Sequence, residues 1–95
     1  MSTKNQIWES PDFEDDVDVM DEEVHHLILH NDDVNTFNHV IVSLVDICNH
    51  EAQQAEQCAF IVHFKGKCDV KSGTFEELHL LKDKLTSKGL SVTID

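Results

Sequence analysis

Between Val24 and Cys48 the apolar residues change period across a short polar gap, and that change limits what the chain can fold into. Val24-His25-His26-Leu27-Ile28-Leu29 is mostly aliphatic and free of glycine and proline, which predicts a strand over 24–30. Phe37, Val40, Ile41, Leu44, Val45 and Cys48 then recur at intervals of three and four, which predicts a helix over 36–48 with one buried face. The stretch His30-Asn31-Asp32-Asp33-Val34-Asn35-Thr36-Phe37 sets polar acceptors at the junction. Asn35 is expected to be the N-cap, its amide oxygen accepting from an orphan N–H of the first turn. A strand-to-helix corner with an acidic rim is a concave place for a cation, with carbonyl and carboxylate oxygens ready for an ammonium group.

The rest of the chain alternates between the same two periods. Asn49-His50 interrupts the first helix, and Ala52, Ala55, Cys58, Ala59 and Val62 begin a second apolar face that runs to about Phe64. Gly66 stands where a helix closes on a left-handed residue. Lys67-Cys68-Asp69-Val70-Lys71 alternates polar and apolar, as a half-exposed strand does, and Ser72-Gly73 is expected to turn the chain. Thr74 with Glu77 three residues on forms a capping box for a helix whose apolar face is Phe75, Leu78, Leu81 and Leu85. Gly89 ends that helix, and Leu90, Val92 and Ile94 share one side of a last strand. The order is β-α-α-β-α-β. Three short strands with three helices cannot cover both faces of a sheet. The expected fold is therefore α+β, a small three-stranded antiparallel sheet with the three helices on one face.

Ninety-five residues, 40% of them apolar, support one modest core and no second site-bearing domain. The net charge of −12 is uneven: residues 1–23 carry nine acids against Lys4 alone. With Pro11 and no apolar periodicity, 1–23 reads as a disordered acidic extension ahead of a core domain over 24–95. It is either a solvated tail without a task or a flexible segment held by a partner. An acidic chain without arginine repels phosphate backbones, which argues against nucleic acid as a partner. Cys48, Cys58 and Cys68 are odd in number and lack zinc-motif spacing; with no signal peptide and no long apolar run, they read as reduced thiols in a cytoplasm, away from membranes.

Catalytic chemistry finds little support. The seven histidines converge on no closed ligand set, and the adjacent His25 and His26 point to opposite faces of a strand, so neither metal nor cofactor is expected. Asp32-Asp33 could act as an acid/base pair, yet no serine or cysteine nucleophile has an evident histidine partner and no glycine-rich phosphate loop is present. The reading is a non-enzyme. His63, between Val62 and Phe64 at a helix end, is by its position alone more often a structural histidine.

Two motifs give a sharper expectation. Asn31-Asp32-Asp33-x-Asn35-Thr36-Phe37, followed about thirty residues on by Val62-His63-Phe64-Lys65-Gly66-Lys67, resembles the ClpS family of adaptor proteins for the Clp protease. The resemblance covers about 24–95 and implies a fold like the C-terminal domain of the ribosomal stalk protein. It implies a monomer that binds N-degrons, substrates whose first residue is Leu, Phe, Tyr or Trp, and hands them to a AAA+ unfoldase of the ClpA or ClpC type. By the same resemblance Asn31, Asp32 and His63 contact the free α-amine, while Asn35 and Thr36 meet the first peptide unit. Phe37 takes a gate position often held by Met, Val62 lines the cavity, Leu90 lies near its floor, and Ala59 replaces a larger apolar residue. Glu77 and Lys82 fall where the family docks on the unfoldase N-domain. The alternative is a stalk-like protein-docking domain without an amine pocket.

Overall fold

The computed structural model describes residues 23–95, so the acidic extension falls outside the described residues as far as position 22. Six elements follow in the expected order: β1 (His25–His30), α1 (Phe37–Cys48), α2 (Ala52–Lys65), β2 (Lys67–Gly73), α3 (Phe75–Ser87) and β3 (Ser91–Ile94). The strands form one sheet in the order β2-β1-β3, antiparallel at both junctions.

Alternation along the central strand decides which face the helices cover. Leu27 and Leu29 of β1 are buried, together with Val70 of β2 and Val92 of β3, and Leu44, Val62, Leu78 and Leu85 of the three helices join them in one core. Each such leucine contributes roughly 1.5–3 kcal/mol by leaving water. The opposite face is polar except for Ile28: His26 pairs with Asp69 at 2.8 Å, and His30 Nε2 is hydrogen bonded to Thr93 Oγ1 at 2.8 Å. The three helices therefore share one side of the sheet.

Helix ends follow local chemistry. Asn49 (φ 60°) and Gly66 (φ 96°) close α1 and α2 in the left-handed conformation, which asparagine tolerates and glycine adopts freely. Thr74 and Glu77 form the expected capping box at α3, the threonine hydroxyl accepting from Glu77 N and the Glu77 carboxylate from Thr74 N.

Three expectations are corrected. Thr36, not Asn35, caps α1, its hydroxyl accepting from His39 N at 3.1 Å. Ser72-Gly73 is not a turn: β2 continues through it, pairing Ser72 with His26 and Gly73 with His25. The cause is a bulge. Leu27 lies opposite Lys71 and Ile28 opposite Asp69, so Val70 is an extra residue, and its carbonyl accepts from the buried His50 Nε2 at 2.7 Å. Because a carbonyl only accepts, Nε2 carries the imidazole hydrogen. Finally, Phe75 lies outside the core at 53% exposure, stacked on His79 one turn along and met edge-on by the His25 ring.

Candidate functional site

The corner between β1 and α1 is held by one carboxylate. Asp32 Oδ1 accepts from the backbone N–H of Val34 and of Asn35, both at 2.8 Å, and Oδ2 accepts from the Asn35 side-chain amide at 2.8 Å. The same amide nitrogen donates its second hydrogen to the carbonyl of Gly89, also at 2.8 Å. Asn35 is thus occupied as a bridge from the corner to the α3–β3 loop, which is why the neighbouring threonine takes the cap. His39 Nε2 donates to the Lys88 carbonyl at 2.8 Å and fastens the first turn of α1 to the same loop.

Electrostatics keep that carboxylate ionised. Burial alone would raise the Asp32 value, but the Asn35 N–H, the Asn35 amide, the Val34 N–H and the nearby His39 outweigh it and hold the group below the usual carboxylate range. A carboxylate has about four acceptor positions, and three donors leave capacity for one more.

The second motif reaches the same corner through a backbone link. Asn31 N donates to the Gly66 carbonyl at 2.9 Å, so the exit of β1 is tied to the end of α2, and His63 lies three residues before that glycine. Asn31 and His63 are both exposed there, in contrast to the three-times-bonded Asp32. His63 is positioned by aromatic edges, with its ring centroid 5.8 Å from Phe37 and 4.9 Å from Phe64.

These side chains surround a cavity of about 330 Å³ lined by Asn31, Asp32, Asp33, Asn35, Phe37, Val40, Ala59, Val62 and His63. One side offers amide and carboxylate oxygens with an imidazole. The other is apolar and is formed where α1 crosses α2. Of the residues expected here, Leu90 lines a small annex of about 20 Å³ that it shares with Leu29, Val40 and Val62. Thr36 lies outside the lining, its hydroxyl turned to the helix N-terminus. One lining residue was not expected in the pocket, Val40, which follows Phe37 by three on the same helix face; Asp33, expected in the corner but given no contact with the amine, lines it as well.

Glu77 and Lys82 lie elsewhere. Glu77 borders a groove of about 490 Å³ between β2 and α3, with Lys71, Ser72, Leu78, Leu80, Leu81 and Lys84, while Lys82 is half-buried outside that lining. Among the described residues no three His, Cys, Asp or Glu side chains converge as metal ligands. Two of the thiols are poor nucleophiles: burial pushes Cys48 up, and burial together with the adjacent Cys58 thiol and the Asp69 charge pushes Cys68 up to about 12. No helix among the described residues is long and apolar enough to cross a membrane.

A family model described as "ATP-dependent Clp protease adaptor protein ClpS" matches residues 15–93. No curated protein matches the chain. Among solved structures, Agrobacterium tumefaciens ClpS2 bound to L-phenylalaninamide is similar, with a TM-score of 0.68 at 18% identity over 78% of this chain and 96% of that one. At that identity the likeness establishes a shared fold, the same α+β arrangement on a three-stranded antiparallel sheet.

Proposed function

Because the chain belongs to the ClpS family of ATP-dependent Clp protease adaptors, we propose that its corner pocket binds the first residue of N-degron substrates and that the chain delivers them to a AAA+ unfoldase of the ClpA or ClpC type. The observation that carries this reading is the two-sided cavity. Asn31, Asp32 and His63 stand at its polar rim, and Phe37, Val40, Ala59 and Val62 form its apolar wall. A protein's N-terminal residue carries an α-amine that is partly to fully protonated near neutral pH and needs acceptors, and a large apolar first side chain needs a dry cavity. The related ClpS2 was solved with L-phenylalaninamide, a molecule with both features.

The energetics suit an adaptor that must release its cargo. An apolar side chain contributes roughly 1.5–3 kcal/mol on burial, and each charge-assisted hydrogen bond about as much again before ordering costs. Less several kcal/mol for association, the affinity is on the order of micromolar. Phe37 is held edge-on against Phe60 at 4.8 Å and against His63 at 5.8 Å, so it acts as a fixed gate ring, and Ala59 leaves depth beyond it. First-residue Phe, Tyr or Trp should bind at least as well as Leu. Ile and Val, branched where they would press on the gate, should bind at least tenfold worse than Phe, a gap of about 1.4 kcal/mol or more.

Delivery uses other surfaces. The β2–α3 groove bordered by Glu77, together with Lys82 of α3, takes the unfoldase N-domain, and the acidic segment before residue 23 engages the unfoldase during transfer. Fluorescence anisotropy with peptides differing only at the first residue, each free and Nα-acetylated, tests the pocket. Acetylation should abolish binding of the Phe peptide, and His63→Ala should weaken it about tenfold without unfolding the domain. Binding that tolerates acetylation would exclude an amine site.

A further inference from the structure

Beyond the pocket, an exposed aromatic surface continues directly from its wall. Phe37 and His63 line the cavity, and next to them Phe60 (48% exposed) and Phe64 (74% exposed) stand one turn apart on the outer side of α2. The Phe60 ring meets Phe37 edge-on at 4.8 Å and an interplanar angle of 72°, Phe64 lies parallel to Phe60 within 7° at 6.1 Å, and Phe64 meets His63 edge-on at 4.9 Å. Three phenyl rings and an imidazole therefore form one contact-linked surface that starts in the pocket and ends in solvent. The fold has no need of it. The core closes without either ring, and an exposed helical pair four residues apart is served better by Leu, Lys or Glu than by Phe on propensity alone.

We propose that this aromatic shelf receives the second residue of the substrate, favouring an aromatic or other large apolar side chain there, so that the chain selects an apolar pair rather than a single terminal residue. The proposal rests on the pocket reading above. Continuity of the two surfaces supports it: Phe37 lines the cavity and its ring is in edge-on contact with Phe60, and the second residue of a bound peptide follows the first by only about 3.8 Å, so it lies at the cavity mouth. Area argues against a second copy of the chain as the occupant. A phenylalanine presents on the order of 200 Å² when fully exposed, so three partly exposed rings offer a few hundred at most, well short of the roughly 800 Å² per partner in a stable interface. A single peptide side chain is matched to that size.

Anisotropy titrations of peptides beginning Phe-Ala, Phe-Phe and Phe-Trp, free and Nα-acetylated, on the parent chain and on the Phe60→Ser/Phe64→Ser and Phe64→Ser variants decide the matter. The quantity read is the affinity ratio between Phe-Phe or Phe-Trp and Phe-Ala within each protein, which cancels any change in the first-residue pocket. The parent should prefer the aromatic second residue by about threefold or more, and the ratio should fall to about one in the double variant, with Phe64→Ser between them. A ratio of one in the parent, or an undiminished ratio in the double variant, overturns the shelf while leaving the pocket intact. Equal binding of acetylated peptides overturns the pocket and the shelf with it. A concentration-dependent dimer of the parent in sedimentation, abolished in the double variant, assigns the rings to a second copy instead.

Discussion

Two helices in this domain begin at a threonine cap, and only one of the two beginnings is closed. At α3 the acid is on the helix itself: Glu77 returns its carboxylate to Thr74 N, the Thr74 hydroxyl accepts from Glu77 N, and the first turn carries both Glu76 and Glu77. At α1 the same place three residues after the cap is His39, the first turn has no acid, and the His39 ring donates instead to Lys88 O. The carboxylate has moved out of the helix into the loop before it, where Asp32 gathers the N–H groups of Val34 and Asn35. An acid within a capping box is used up in stabilising its helix. An acid displaced into the loop organises the loop and still borders a cavity, which makes the same chemistry available to a ligand.

That contrast is broken most severely at Asp32. Asp32→Ala removes an acceptor for three N–H donors together with one of the pocket's two carboxylates, and peptide affinity should fall by about 2 kcal/mol or more, roughly thirtyfold, with about 1–2 kcal/mol lost from stability. Urea denaturation and anisotropy on the same samples separate the two losses; unchanged affinity in a folded variant would show that the corner acid has no part in binding. Thr74→Ala sharpens the comparison from the other side. It should cost about 1 kcal/mol of stability, read from the urea midpoint, and leave peptide affinity within twofold, since this cap lies outside the peptide pocket.

The smallest effect is on pH. The folded Asp32 value lies below the unfolded one near 3.9, so its stabilisation is fully present above that value and fades as pH falls through the folded one. The stability gap between the parent and Asp32→Asn should therefore be constant from pH 7 to about pH 5 and close below about pH 4. A gap that widens on acidification would mean the shift has the opposite sign.

The comparison also explains what was legible in the residues. The capping box at Thr74, the closure at Gly66 and the order of elements rest on interactions within a few positions of each other, and each is as the spacing implies. The cap of α1 was not legible because Asn35 and Thr36 are both good caps, and the choice turns on Gly89, 54 residues away, whose carbonyl takes the asparagine amide. The continuation of β2 through Ser72-Gly73 depends on a bulge whose extra carbonyl is satisfied by His50 from the far end of α1, which no local period encodes. Of the pocket, the two motifs supply the rim and half of the wall, Phe37 and Val62. Val40 was missed because its period marks it only as a core residue, and the crossing of α1 over α2 that opens a cavity beside it is a tertiary event.

The central claim is that one cavity takes a free amine and an apolar side chain together. Amide chemical-shift mapping of the full chain with L-phenylalaninamide and with its Nα-acetyl derivative tests it most directly. The account predicts shifts at Asn31, Asp32, Val34, Asn35 and His63 with the free amine, and none of comparable size with the acetylated compound. Equal responses to the two compounds, or shifts confined to the β2–α3 groove, would contradict it.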